Sequence, residues 1–411
     1  MSNREPKIIK LSIRTLTPVS IGGDKGEQLS PYADYVFSRD GKMLHFLHLK
    51  KLEETVAAQG IIDEYVHAIR SAMDNNRSEF DLEQFITDRL HQSIDDFTAR
   101  RVLQQGLNPG QRVFITPIVK NAGAPYIPGS SIKGALRTAM LYDWLVNTEQ
   151  GEPYMNSAAQ ALGQLAQLRE RWFNLKKNRS DFRDIRQVEM EIKKLDRAVF
   201  NEDDLFGRLH DGPEARFLRV RDTAPLHQSE MEVQSLRRIR IVPGKGKSTI
   251  PQVVEAIPAG TALESEISVL PDFTKPELAY WNKAGTTELL TYLNAFSTAC
   301  IENEITELSD ALEVGSKLDF ASEIRRLLKF YEDLKEQCNE GELIIRLGFG
   351  KTINDNSLLL AALHGPESSQ AWHDMRAAFH KIRRRDDFYP ITRLITPGGL
   401  PMGWVKVKML E

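Results

Sequence analysis

The long, charged, helix-patterned stretches of this chain do not adjoin one another; short strand-patterned runs stand between them. From Lys7 to Val19, Ile9, Leu11 and Ile13 alternate with Lys10, Ser12 and Arg14, the period of a half-buried strand. A Gly-rich break follows at Gly22-Gly23-Asp24-Lys25-Gly26, and then Tyr35-Val36-Phe37 and Leu44-His45-Phe46 flank Asp40-Gly41, a hairpin signal. Leu49 to Leu107 turns helical, with Leu52, Val56, Ile61, Ile62, Val66 and Ile69 as its apolar positions. Val113 to Val119 reads as a strand, and 156–200 as charged helix with both signs interspersed, the pattern of a solvated face. Strands resume at 217–220, 239–242, 253–257 and 263–270. A second helical block spans 276–339, followed by a strand at 343–347, a helix at 368–385 and a last strand at 404–409. Helices spliced between strands imply an α+β protein, a sheet core carrying helical insertions near 50–107 and 150–200.

At 411 residues the chain is long for one core. The expected division is an N-terminal part over 1–270 and a C-terminal part over 271–411. No run of 18 or more apolar residues exists, so no membrane span is expected. Met1 to Lys7 lacks the apolar core of a secretory signal. The two cysteines, Cys300 and Cys338, form no disulfide or zinc pattern and read as idle thiols of a reducing cytoplasm. A net charge of −3 excludes a whole-chain basic excess, so a nucleic-acid face would need its cations concentrated.

Such concentrations occur. In Ile127-Pro128-Gly129-Ser130-Ser131-Ile132-Lys133-Gly134-Ala135-Leu136-Arg137 a serine, Ser130 or Ser131, is expected to cap a helix. Ile132, Leu136, Ala139 and Met140 form its apolar stripe, and Lys133 and Arg137, four apart, share a face. Helix-start N–H groups beside a lysine suit a phosphate. In Phe217-Leu218-Arg219-Val220-Arg221 the strand period puts Phe217, Arg219 and Arg221 on one face, a ring to stack on a base and two guanidiniums for phosphates. Arg237, Arg238, Arg240, Lys245 and Lys247 place five cations without an acid in the eleven residues 237–247, around a Pro-Gly turn. Arg346-Leu347-Gly348-Phe349-Gly350-Lys351-Thr352 contains Gly-Lys-Thr, but a phosphate loop needs glycine where Ile345 stands, so no nucleotide-hydrolase loop is expected. What remains is a glycine turn, at Gly348 and Gly350, that lets backbone come close to RNA.

Catalytic patterns are sparse. The nine histidines are scattered, no nucleophile elbow is present, and neither cofactor nor metal is expected. Asp24 and Asp34 lie in the early polar loop, where turn residues are the ordinary reading.

In their order these blocks resemble the RAMP superfamily of CRISPR proteins. They are Thr17-Pro18-Val19-Ser20-Ile21-Gly22; Ile127 to Arg137; Asp204-Leu205-Phe206-Gly207 with Val220-Arg221-Asp222; the basic loop; Glu255-Ala256-Ile257-Pro258-Ala259-Gly260-Thr261; and Leu347 to Lys351. The ending, Tyr389-Pro390-Ile391-Thr392-Arg393-Leu394 and Leu400-Pro401-Met402-Gly403-Trp404-Val405-Lys406-Val407, resembles one subunit group of the type III-A (Csm) effector complexes. The resemblance implies ferredoxin-like, RRM-type sheet domains, the second one degenerate. It further implies a non-catalytic RNA-binding subunit that caps the 3′ region of crRNA, the guide, and abuts the neighbouring backbone subunit. Its other implied partners are further Csm subunits, target RNA through the guide duplex, and the cellular nucleases that trim the guide during maturation in antiviral defence. Target cleavage in the superfamily belongs to the repeated backbone subunit through a loop aspartate; Asp24 is the nearest local counterpart, and that role is not carried over to it. The alternative is a RAMP endoribonuclease acting on precursor or target RNA, which would centre on a histidine such as His210.

Overall fold

The alternation near the N-terminus builds the middle of a sheet. In the computed structural model, which describes residues 7–23, 27–74, 80–196, 218–242, 251–269, 286–314, 318–338, 341–364, 370, 374 and 390–410, strand β1 is Lys7–Thr15. Its Ile9, Leu11 and Ile13 are buried while Ile8, Lys10 and Arg14 face solvent. There follow β2 (Tyr35–Phe37), β3 (Met43–Leu47), four helices α1 (Leu49–Ala58), α2 (Ile62–Asp74), α3 (Leu82–Asp88) and α4 (Ile94–Phe97), and β4 (Thr98–Gln105). A short hairpin, β5 (Lys120–Asn121) and β6 (Ala124–Pro125), leads to α5 (Gly129–Asn147), α6 (Glu152–Lys177) and α7 (Phe182–Asp196). Then come β7 (Leu218–Val220), β8 (Glu232–Arg240), β9 (Gln252–Ala256), β10 (Ala262–Val269), α8 (Thr286–Val314), α9 (Ala321–Lys335), β11 (Glu342–Arg346), β12 (Thr392–Ile395) and β13 (Trp404–Leu410).

The first sheet runs β11-β13-β1-β10-β7, antiparallel throughout. β10 separates β1 from β7 and is antiparallel to both, so those two strands run parallel with α5 crossing between them. β10 and β13 stand in the same relation across β1, with α8 between them. Two interleaved βαβ units in one antiparallel sheet are the ferredoxin-like arrangement, here with β11 added at an edge. Strands from both sides of residue 270 therefore pair within this one sheet. Ile132, Leu136, Ala139 and Met140 of α5 pack in the same core cluster as Ile9, Leu11 and Ile13. From α9, Tyr331 meets Trp404 of β13 edge-on, with ring centroids 6.0 Å apart.

The second sheet runs β12-β8-β4-β3-β2, with β9 also on β8. It overturns part of the helical expectation for 49–107: Thr98–Gln105 is a strand, held between β3 and, in parallel, β8. Only Val102 in that strand is buried, so the segment offers too little apolar alternation to read as β locally. The expected strand at 113–119 is reduced to single bridges, Ile115 to Leu29, Thr116 to Val254 and Ile118 to Gly22. Fully buried Glu255 organises this segment by binding Arg100, Lys120 Nζ at 2.8 Å and the Ile118 N–H at 3.3 Å. The helical insertions carry cores of their own: Leu52, Val56, Phe85 and Phe97 among α1–α4, and Leu162, Leu165, Val188 and Ile192 between α6 and α7.

Candidate nucleic-acid interface

Helix α5 starts one step earlier than expected. Its N-cap is Pro128, in extended conformation, and no side chain of its own caps it. Neither Ser130 nor Ser131 is the cap; both sit inside the first turn, Ser130 exposed and Ser131 half-buried. Capping comes instead from Asp222, just beyond β7, whose Oδ1 accepts the Gly129 N–H at 2.7 Å. The register between 125–127 and 223–226 sets this up, through Ile127 N–H to Thr223 Oγ1 at 2.9 Å, Thr223 N–H to the Ile127 carbonyl at 3.0 Å and Leu226 N–H to the Pro125 carbonyl at 2.8 Å. A carboxylate thus already occupies the positive helix end, and the anion-binding capacity of α5 moves to its side chains, Lys133 and Arg137.

On β7 the expected alternation holds for the described residues: Leu218 is buried, and Arg219 and Arg221 are exposed. Arg221 leans 3.4 Å from Glu266. Burial, and after it the charges of Arg137 and Arg219, lower the pKa of Lys133.

The glycine turn after β11 is shaped by its own chain. A side chain at Gly348 (φ +66°) would overlap the Ser20 carbonyl oxygen, which accepts the Phe349 N–H at 2.7 Å. At this glycine the close approach is made by the backbone of Ser20, in the segment that follows β1. Gly350 (φ +93°) packs over Met402. Beneath the turn lies buried Arg346, which donates to the Met402 carbonyl at 2.9 Å, the Gly350 carbonyl at 2.9 Å and Asp355 Oδ2 at 2.7 Å. Asp355 also accepts the Thr352 N–H at 2.8 Å and its hydroxyl at 2.9 Å. Burial lowers the Lys351 pKa, against the pull of Asp355.

α5, this turn and the β8–β12 side of the second sheet enclose a groove of about 970 Å³. Its walls carry Lys133, Arg137, Arg238, Arg346 and Lys351 against one carboxylate, Asp355, among the described residues that line it. Ser130, Ser131, Gly348 and Gly350 line it too. Arg237 does not: strand parity turns it to the opposite face of β8, where it pairs with Glu323 at 3.1 Å. Lys245 and Lys247 lie outside the described residues, as do Phe217, Asp24, His210, the 204–207 block and nearly all of the expected helix at 368–385. Cys300 lines the groove, but burial pushes its thiol well above the ordinary value, which leaves it inert. Among the described residues no three His, Cys, Asp or Glu side chains form a metal-binding group, and no helix is long and apolar enough to cross a membrane.

The contributors that sequence reading passed over are Asp222, Arg346 and Asp355. Asp222 stood in a quoted block without a role, and its partner is 93 residues away. Arg346 offered one signal, a cation closing the apolar run Leu343-Ile344-Ile345 directly before a Gly-Phe-Gly turn.

Comparison with known proteins agrees with this architecture. A family model described as the RAMP superfamily matches residues 12–353. Over 137 residues the chain is 28% identical to the CRISPR system Cms protein Csm5 of Methanocaldococcus jannaschii; the match covers 33% of this chain and 31%, under a third, of that relative. Among solved structures, a chain of the cryo-EM structure of a Csm–crRNA–target RNA ternary complex of a type III-A CRISPR-Cas system superposes with a TM-score of 0.67 at 22% identity, covering 97% of this chain and 100% of that one. The crystal structure of T. onnurineus Csm5 gives 0.58 at 21% identity, covering 96% and 99%. At these identities the superpositions establish a shared fold. With the family model spanning residues 12–353, a span that takes in α5, β7, β10, β11 and the Gly-Phe-Gly turn, the chain belongs to the RAMP superfamily.

Proposed function

We propose that the chain is a non-catalytic subunit of a type III-A Csm effector complex that binds and caps the 3′ region of crRNA, abuts the adjacent backbone subunit and supports crRNA maturation. One observation carries the reading: residues from 130–137, 238 and 346–351, far apart in sequence, line one cationic groove in a chain of net charge −3. Cations on a groove wall grip phosphate and sugar without reading bases, which suits a protein that must accept many guide sequences. The end-to-end likeness to a chain of a Csm–crRNA–target RNA assembly supports the same partners: guide, target RNA paired to it, and other Csm subunits. Docking of trimming nucleases and action in antiviral defence belong to the same proposal, as does a place in the cytoplasm.

The test is Lys133→Ala with Arg137→Ala in the co-expressed complex. Loss of two phosphate contacts lowers the salt slope of RNA binding by roughly 1.4, at roughly 0.7 per contact on single strands. Sequencing the co-purified guides is expected to show shortened or heterogeneous 3′ ends. Guide length, occupancy and salt slope all equal to wild type would remove this groove as the guide site.

A pH dependence follows from the crowding of Lys133. Its pKa is lowered, so as pH rises it loses its charge before an ordinary lysine does. RNA affinity is therefore expected to fall across the alkaline range below pH about 10. Lys133→Arg, which keeps its charge there, is expected to flatten that fall in a fluorescence-anisotropy titration. A wild-type profile as flat as that of the arginine variant would show that Lys133 does not meet the RNA.

A further inference from the structure

We infer that Phe349 is a stacking platform, and that the groove takes one unstacked nucleobase of single-stranded RNA onto its ring. The inference rests on the RNA-binding reading above and adds a contact that cations on a groove wall do not supply.

Three observations converge on this residue. Phe349 stands between two glycines of positive φ, Gly348 at +66° and Gly350 at +93°, so the backbone folds tightly on either side of it. Its own N–H is fixed on the Ser20 carbonyl, and Arg346 holds the Gly350 carbonyl, so the turn is anchored at both ends. The ring packs on a small apolar cluster of Leu236, Val254, Ala256 and Leu394 from the second sheet and Met402 from the segment before β13, yet the residue is only half-buried and lines the groove. Phe97 and Phe46, by contrast, are covered, at 0% and 5% exposure.

A ring supported by apolar contacts, partly open to a cationic groove and fixed by its backbone, is prepared for a base. Every nucleobase has a π face, so stacking holds RNA without selecting sequence, and a ring already ordered loses little freedom on binding. With Lys133 and Arg137 on the α5 wall and Arg238 on the strand wall, phosphates on either side of the base would meet cations. A volume of about 970 Å³ is ample for one nucleotide.

The experiment uses the full chain and a fluorescein-labelled single-stranded RNA of mixed sequence, alongside the same RNA with abasic sugars. Phe349→Leu keeps an apolar group against Leu394 and Met402 but removes the π face. It is expected to weaken binding by about 5- to 150-fold, the range of one base–aromatic stack, with the salt slope unchanged. Phe349→Trp is expected to retain wild-type affinity. On the wild-type protein, where no folding defect can intervene, the abasic RNA is expected to bind correspondingly less well, and on Phe349→Leu no worse than the intact RNA. Equal binding by Phe349→Leu and wild type, or an abasic penalty of the same size on both, overturns the inference. If Lys133→Ala/Arg137→Ala loses affinity in the same assay while Phe349→Leu does not, stacking falls and the RNA-binding reading stands. If neither variant changes binding, it is the reading itself that has failed.

Discussion

Replacing Asp355 with alanine is expected to destabilise the protein by about 3–5 kcal/mol, the cost of leaving a buried charge without its partner. Arg346 is 6% exposed, so water cannot take the place of the lost carboxylate. Asp355 also collects the Thr352 N–H and hydroxyl, and both would be orphaned with it. The effect should not stay local. Arg346 lies over the Trp404 ring, 5.7 Å from its centroid, and donates to the carbonyls of Met402 and Gly350. A displaced guanidinium would therefore loosen the 402–403 segment, the Gly348–Lys351 turn and one wall of the groove together. The measurement is a denaturant titration, read as a shifted midpoint at unchanged slope. A control separates an unpaired charge from simple loss of packing. Arg346→Met with Asp355→Leu removes both charges and is expected to recover most of the loss, because apolar replacements of a whole buried pair are often neutral. An Asp355→Ala protein within about 1 kcal/mol of wild type would contradict the buried pairing, since surface ion pairs are worth no more than that.

What could be read in the sequence was local, and what could not was long-range pairing. Period-two alternation placed β1, the Asp40-Gly41 turn placed the β2–β3 hairpin, and the stripe Ile132, Leu136, Ala139, Met140 placed the buried face of α5, because each pattern needs only neighbouring residues. β4 and β12 were not legible as strands. Thr98–Gln105 has a single buried apolar residue, and Thr392–Ile395 carries Arg393, whose charge is buried against Glu304 at 2.7 Å, 89 residues away. Of the candidate site, the cation-bearing segments were visible but not their directions. Arg237 and Arg238 look equivalent in sequence; strand parity sends Arg238 to the groove and Arg237 to Glu323. The glycines were visible too, but their reasons lay in the far chain: Gly348 makes room for Ser20 and Gly129 makes room for β7.

Gly129→Ala carries the second large expected effect, and Gly134→Ala, five residues along the same helix, shows why it is specific. A Cβ at Gly129 would overlap the Val220 carbonyl oxygen and sit 2.7 Å from the Arg221 carbonyl carbon. All the obstructing atoms are backbone, so no rotamer change relieves them; either β7 or the helix start must move. Overpacking of this kind costs about 1–3 kcal/mol. The movement also breaks the Gly129 N–H bond to Asp222, and losing a helix cap costs about 1 kcal/mol more. At Gly134 an added Cβ meets nothing within 4 Å, and the position is exposed inside a helix. There alanine removes the entropic cost of glycine and is expected to stabilise by about 0.5–1 kcal/mol. Opposite signs from one chemical change on one helix would place the constraint at the α5–β7 junction rather than in α5 itself. The junction also sets the approach of Lys133 to Arg219, so Gly129→Ala is expected to weaken RNA binding along with folding. A Gly129→Ala protein as stable as wild type would mean that α5 does not start against β7, and the groove built on that contact would lose its α5 wall.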